Sequence, residues 1–265
     1  MANLLKWWQT MRISWSRYTA YRLNFFLQVI GPAIVFFFIK YSLWSAIFSQ
    51  EPHKVIQGYD FQGMINYHVW TLIVGLVAQG HTAMNLSEDI RLGRISTYLI
   101  YPFNFWEFHT ASFFSFQILQ FCIALISLGI LLAIGVISSL TLSTLCIGFL
   151  FCFYVSLFWY LLQYLTGILG FWLEETWMLR VILQIVAGFL SGAIIPLELY
   201  PQKFVAFLNY TPFPYLTYYP VKVFSGDYSH LMQAFLVIAF WIGITFVLNH
   251  LVWKKGIKNY TAAGM

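Results

Sequence analysis

Ionisable side chains are scarce in this chain. Of its 265 residues only 14 are Lys or Arg and nine are Asp or Glu, 9% in all. A soluble globular domain carries about 25%, and so few charges could not cover the surface of a water-soluble fold. Cysteine is almost as rare: Cys122, Cys146 and Cys152 are three in number and lie inside apolar runs. An odd count without paired spacing gives neither a disulfide framework nor a zinc pattern. No GxxxxGKS/T loop is present to cradle nucleotide phosphates, and HExxH is absent too. So is the GxSxG nucleophile elbow. The six histidines never pair one helical turn apart, so no metal is expected. Between Glu107 and Glu174 no Asp, Glu, Lys or Arg occurs at all.

What fills the chain instead is apolar. Hydrophobic residues make up 60% and aromatic residues 21%, and the mean hydropathy is +0.74. Lipid is therefore the expected solvent, with Trp and Tyr suited to the headgroup boundary. A net charge of +5 would raise nucleic acid in a soluble protein. Here cationic loops held at the inner face account for it, and no nucleic-acid partner is expected. Lys6, Arg12, Arg17 and Arg22 are too dispersed for a signal peptide and no small-residue cleavage site follows, so the first apolar run is expected to stay.

A helix needs about 20 mostly apolar residues to cross a bilayer. The expected spans are 23–39, with a kink at Pro32, 63–83, 177–195 and 231–253. Two more lie in the uncharged stretch, whose one polar, turn-like interruption is GVISSLTLST at 135–144. Six spans put both termini on one side, with Lys6, Arg12, Arg17, Arg22, Arg91, Arg94, Arg180, Lys254, Lys255 and Lys258. The other side receives Lys54, Lys203 and Lys222, while Lys40 is expected near a helix end, where it can snorkel. Ten cations against three satisfy the positive-inside rule; a seventh span would not. The fold class is thus an all-α membrane protein of one domain, residues 1–265, with six transmembrane helices and both termini cytoplasmic.

Three further features stand out. Over residues 1–20, Leu4, Trp8, Met11, Trp15 and Tyr18 form one helical stripe with Lys6 and Arg17 opposite. This is the pattern of an interfacial helix that would set Trp8, Met11 and Trp15 toward lipid and Arg12 and Arg17 toward headgroups; a plain cationic anchor is the alternative. Residues 196–229 hold five of the eight prolines and many aromatics, too apolar for a solvated loop. A re-entrant or interfacial outer hairpin is expected, with a short helix in QKFVAFLNY; an ordered loop is the alternative. The loop FWLEETWMLR brings Glu174, Glu175 and Arg180 to the cytoplasmic side, as a boundary marker or as a secondary contact.

Charge peaks at 88–94, where Glu88, Asp89, Arg91 and Arg94 crowd into seven residues of the loop after the second span. The segment LSEDIRLGRISTYLIYPFNFWEF is similar to an acidic-basic-Gly turn, amphipathic helix and Leu-x-x-Pro pattern. The stretch SGAIIPLELYPQKFVAFLNYTPFPYLTYYPVKVFSG resembles a Gly-x-x-x-Pro, Pro, Pro-Phe, Pro succession. Together, at these positions, they resemble the permease subunit of type-2 ATP-binding-cassette transporters, in its short bacterial six-helix form. The resemblance implies an exporter of the bacterial inner membrane whose 88–103 element docks on a separate ATPase. Glu88, Asp89, Arg91 and Arg94 would make ion-pair contacts, Gly93 the turn, and Ile95, Tyr98 and Leu99 the packing face. It also implies two ATPase subunits carrying ATP and magnesium, no cofactor in this chain, and a second permease, identical or similar. The substrate is not legible. A membrane-embedded lipid or glycosyl transferase is the alternative, with His109 and Glu107, or Glu174 and Glu175, as its weak acid–base pairs; a passive channel or scaffold is a third.

Overall fold

The computed structural model describes residues 2–20, 22–49, 55–80, 86–100, 104–137, 141–258 and 260. His53, Lys54, His81, residues 101–103 and the middle of the 135–144 turn lie outside them. Among the described residues the chain is all-helical, without a strand beyond one isolated bridge between Ile56 and Tyr59. In chain order the helices are α1 (Ala2–Ala20), α2 (Arg22–Ser49), α3 (Phe61–Gln79), α4 (Leu86–Arg91), α5 (Ile95–Ile100) and α6 (Phe105–Ala133). Then come α7 (Leu142–Ile168), α8 (Trp177–Leu190), α9 (Gln202–Leu208), α10 (Tyr218–Phe224) and α11 (Leu231–Lys258).

Among the described residues four segments are long and apolar enough to cross a bilayer: α3, α6, α11, and α7 with its 3-10 extension to Phe171. The uncharged stretch does form two helices, α6 and α7, with the turn between them where its polar residues fall. Thr141 opens α7 by accepting the Thr144 backbone N–H on its side chain, an N-cap that satisfies one orphan donor. The 28-residue α2 continues through Pro32, and its apolar stretch Ile34–Ser49 is shorter than a full span, as is α8.

Helix α8 stops five residues before the expected end. Gly192 has φ +80°, a left-handed conformation that glycine adopts without steric cost. Its carbonyl accepts from the Tyr67 hydroxyl at 2.7 Å, which ties the end of α8 to α3. A Cβ on Gly192 would sit 2.9 Å from that hydroxyl. The stop is therefore set by Gly192 rather than by Pro196.

The central helix is α7, packed against α11, α3 and α10, while α2 and α6 flank α3. Its apolar faces bury Phe151, Cys152, Val155, Phe158 and Trp159. The segment after α8 is not a solvated loop. It breaks into short helical pieces, α9 falling within QKFVAFLNY, and it buries Tyr215, Leu216, Val221 and Phe224 in the core. Phe224 stacks on Trp70 at 4.6 Å and 6°. Gly148 makes room for it, because a Cβ there would lie 2.5 Å from the Phe224 ring.

One expectation changes. Lys40 is not near a helix end but well inside α2, and it points inward. Its Nζ donates to the Ala193 carbonyl and lies 3.2 Å from His68 Nδ1. Trp44 Nε1 donates to His68 Nε2 at 2.8 Å. Polar partners inside the bundle replace the snorkelling expected at its rim. Helix α1 lies along α6 through Ser14, with Met11 and Tyr18 of the stripe also against it. Ser14 and Ser112 hydroxyls meet at 2.8 Å and Ser115 donates to the Met11 carbonyl. Trp8, Arg12, Trp15 and Arg17 remain exposed and Met11 is half-buried. Small hydroxyls allow the close approach, leaving Trp8 and Trp15 outward.

Candidate functional site

Helix α4, the turn 92–94 and α5 form a compact helical hairpin. Gly93 has φ +75°, so the reversal uses the one residue type that enters this region freely. Arg94 Nη1 donates to Asp89 Oδ1 at 3.1 Å, and its other terminal nitrogen lies 3.8 Å from Glu88 Oε1. Arg91 reaches a different loop, donating to Glu175 Oε1 at 2.9 Å. His109 Nε2 lies 3.9 Å from Asp89 Oδ2.

These residues take unequal positions. Asp89 is only 8% exposed, so it is a structural anchor for Arg94 and not an outward contact. Burial pushes its carboxyl above the ordinary carboxylate value, against the hydrogen bond and charge of Arg94 and the charge of Arg17. Glu88, Arg91 and Arg94 stay substantially exposed. Ile95 is fully buried. Tyr98 packs edge-on against Phe105 at 5.1 Å, and burial, with the Asp89 charge, raises its hydroxyl to about 12. The side chain of Leu99 lies outside the described residues. Glu174 is exposed, and Arg180, in the first turn of α8, is half-buried.

Sequence reasoning missed what holds this hairpin. Leu86, Ile90 and Ile95 join Tyr164 and Ile168 in one apolar cluster at the end of α7, with Phe171, Ile257 and Tyr260 against it. Gly167 and Gly170 give α4 its seat: added Cβ atoms would sit 2.7 Å from the Leu86 side chain and 3.0 Å from the Ser87 Cα. Gly256 does the same for Phe171, at 2.2 Å. Two glycines three apart at a helix end were the available signal. The transferase candidates look different in place: Glu107 accepts from the Asn104 backbone N–H at 3.2 Å, the role of a helix-capping carboxylate. Among the described residues no three His, Cys, Asp or Glu side chains come together as a metal site.

The hairpin, Glu175, Tyr260 and Arg17 gather at one end of the bundle. At the other end a second polar cluster assembles around Glu198. Its Oε1 accepts from Lys222 Nζ at 2.6 Å, Tyr218 at 2.8 Å and Tyr59 at 3.0 Å. Lys222 Nζ also stands 5.4 Å from the centres of both tyrosine rings. The segments before α3 and after α8 are thereby tied together. Burial alone would raise Glu198, but hydrogen bonds from Lys222 and Tyr218 outweigh it and hold the carboxyl below its usual value. A depressed carboxyl stabilises above its ordinary value and loses that contribution as pH falls through the folded-state value. Glu198→Gln should cost about 1–3 kcal/mol at neutral pH. Melting curves in detergent should show wild type and variant converging on acidification; a pH-independent gap would refute the assignment.

The family model described as ABC-2 family transporter protein matches residues 34–264. Among curated proteins and among solved structures nothing matches the chain.

Proposed function

The chain belongs to the ABC-2 transporter family, and from that premise we propose that it forms one half of the translocation pathway of an ATP-driven exporter. Two such subunits, identical or paired with a similar six-helix chain, sit on two separate ATPases that carry ATP and magnesium. This chain binds no cofactor of its own. It lies in the bacterial inner membrane, crossing it with α2, α3, α6, α7, α8 and α11, with both termini cytoplasmic and residues 196–229 forming a re-entrant hairpin on the outer side.

The observation that carries this reading is the seat of the α4–α5 hairpin on the end of α7. A push on an exposed loop dissipates unless the loop is coupled to something rigid. Here α4 packs on the last turns of the central helix, and Arg91 links the hairpin to Glu175 just before α8. ATP-driven closure of the ATPases against Glu88, Arg91 and Arg94 would therefore tilt α7 and α8 together and change which side the pathway faces. Even parity also supports it, since Arg17 of α1, the hairpin, Glu175 and Tyr260 share one end.

Leu92, at the tip of the hairpin, is 51% exposed. A Leu92→Cys chain in a background without the native cysteines should react with a membrane-impermeant maleimide only after cells are opened. The same chain, tagged and purified from native membranes, should bring an ATP-binding subunit with it. Labelling in intact cells would overturn the orientation, and recovery without any ATP-binding protein would overturn the coupling.

A further inference from the structure

Where α2, α3 and the turn after α8 meet, one lysine and one histidine have partners that fix where their hydrogens sit. The three carbonyls at 191–193 are each taken by a different element. Ser191 accepts from the Tyr218 backbone N–H at 2.9 Å, Gly192 from the Tyr67 hydroxyl at 2.7 Å, and Ala193 from Lys40 Nζ. Lys40 Nζ also lies 3.2 Å from Nδ1 of His68, a residue only 1% exposed. At the other ring nitrogen, Trp44 Nε1 donates to His68 Nε2 at 2.8 Å. An indole nitrogen only donates, and a neutral imidazole carries one hydrogen on one of its two nitrogens. Since Nε2 accepts, the hydrogen is on Nδ1, toward Lys40; the same indole excludes a doubly protonated ring. An ammonium has three donors and no acceptor, so opposite Nδ1–H it would set hydrogen against hydrogen. An amine keeps a lone pair, which takes the Nδ1–H while one of its own hydrogens goes to Ala193.

We infer that Lys40 is held here as an uncharged amine and that, with His68, it forms a site that binds a single proton. The hydrogen bonds run one way, from Trp44 through His68 and Lys40 to Ala193, and every donor has an acceptor. A proton taken from water at Nζ reverses the middle bond. The ammonium must then donate to Nδ1, the ring hydrogen moves to Nε2, and the Trp44 bond is lost. Proton binding is thereby coupled to the packing of α2 on α3. Among the described residues no carboxylate acts on Lys40 to hold it charged. Helix α3 contributes His68 and, edge-on to it at 5.4 Å, Tyr67, whose hydroxyl is committed to Gly192. Residues 191–193 bring no titratable side chain, and Tyr218 behind them donates to Glu198. Lys40 itself is half-buried, which leaves water a way in. A tilt of α8 that withdrew Ala193 would make Lys40 take up the proton; that consequence rests on the proposed function, whereas the site does not.

Competitive acetylation of the purified full chain in detergent tests the site without any ATPase. Acetic anhydride reacts with an amine and not with an ammonium, and peptide mass spectrometry reads each lysine separately. An ordinary lysine gains about tenfold in reactive fraction per pH unit between pH 7 and 9; Lys203, exposed on α9, is the internal reference. Lys40 should react already at pH 7, at a rate that changes less than about twofold over that range. Trp44→Phe supplies the contrast, because it keeps an aromatic ring beside His68 and removes only the donor to Nε2. The ring hydrogen can then move to Nε2, and Lys40 can become an ammonium that donates to Nδ1. In this variant Lys40 should recover the tenfold-per-unit dependence, and its rate at pH 7 should fall about tenfold or more. Melting curves follow the same proton. A lysine of the unfolded chain is charged at pH 7, so folding releases a proton, and stability falls with pH. The wild-type melting temperature should therefore drop relative to Lys40→Met as pH falls from 9 to 7. A Lys40 rate parallel to that of Lys203, a flat profile unchanged in Trp44→Phe, or absent acetylation with melting curves that move in parallel would each overturn the site.

Discussion

Gly170→Leu should release the ATPase subunit from the complex while the chain remains inserted. The added side chain starts 3.0 Å from the Ser87 Cα, a backbone atom that cannot rotate away. Helix α4 must therefore lift off α7, and overpacking of this kind costs about 1–3 kcal/mol. The bundle formed by α3, α7, α10 and α11 does not depend on that contact, so insertion should survive. Gly167→Leu acts on the same seat through Leu86 and should give the same result. Gly129 and Gly243, where an added Cβ meets nothing within 4 Å, serve as controls. Measured as ATPase recovered with the tagged chain, the two seat variants should fall more than tenfold and the controls should not change. Full recovery in Gly170→Leu would show that the hairpin need not be seated for assembly.

Arg94→Met should be the most damaging single loss of charge in the hairpin. It strands Asp89, a buried carboxylate whose nearest cation is Arg94. Leaving a buried acid unpaired costs several kcal/mol in full burial; with Arg94 about half exposed, about 1–3 kcal/mol is expected. The pH dependence has a definite sign. Asp89 is held above its ordinary value by burial, so its contribution to stability is greatest when protonated and is lost as pH rises through the folded-state value. At neutral pH it depends on Arg94. The deficit of Arg94→Met should therefore shrink on acidification through the range above the ordinary carboxylate value, as read by melting in detergent. A deficit that grows on acidification would place the Arg94 contribution elsewhere.

Arg91 separates two roles that Arg94 combines. Its pair with Glu175 is exposed on both sides and contributes at most about 1 kcal/mol. Arg91→Glu should thus barely change stability yet reduce ATPase recovery. Combining it with Glu175→Arg rebuilds the internal pair in reverse. If Arg91 faces the ATPase, recovery stays low in the double variant; restored recovery would make the arginine a strap between loops only.

Much of this was visible in the residues. Absence of Asp, Glu, Lys and Arg over 108–173 called for apolar helices, because lipid leaves no other way to satisfy the backbone; two long or three short were open, and the single polar cluster at 135–144 decided for two. The turn at Gly93 was implied by the family resemblance, and its φ of +75° agrees with it. Pairing was less legible. The local Asp89–Arg94 contact could be guessed from spacing, but Arg91 with Glu175 joins residues 84 apart and Tyr59 with Glu198 joins residues 139 apart. Lys40 was misplaced because hydropathy alone cannot tell a snorkelling lysine from one capped by a carbonyl on another helix.

What the sequence by itself determined is the solvent and the rough list of helices, since both follow from local composition and hydrogen-bond necessity. Only the tertiary structure decided which helix is central, where α8 ends, and that the charged hairpin rests on glycines of α7. Those outcomes depend on how closely two distant surfaces can approach, a distance set by side-chain volume on both of them and written in neither alone.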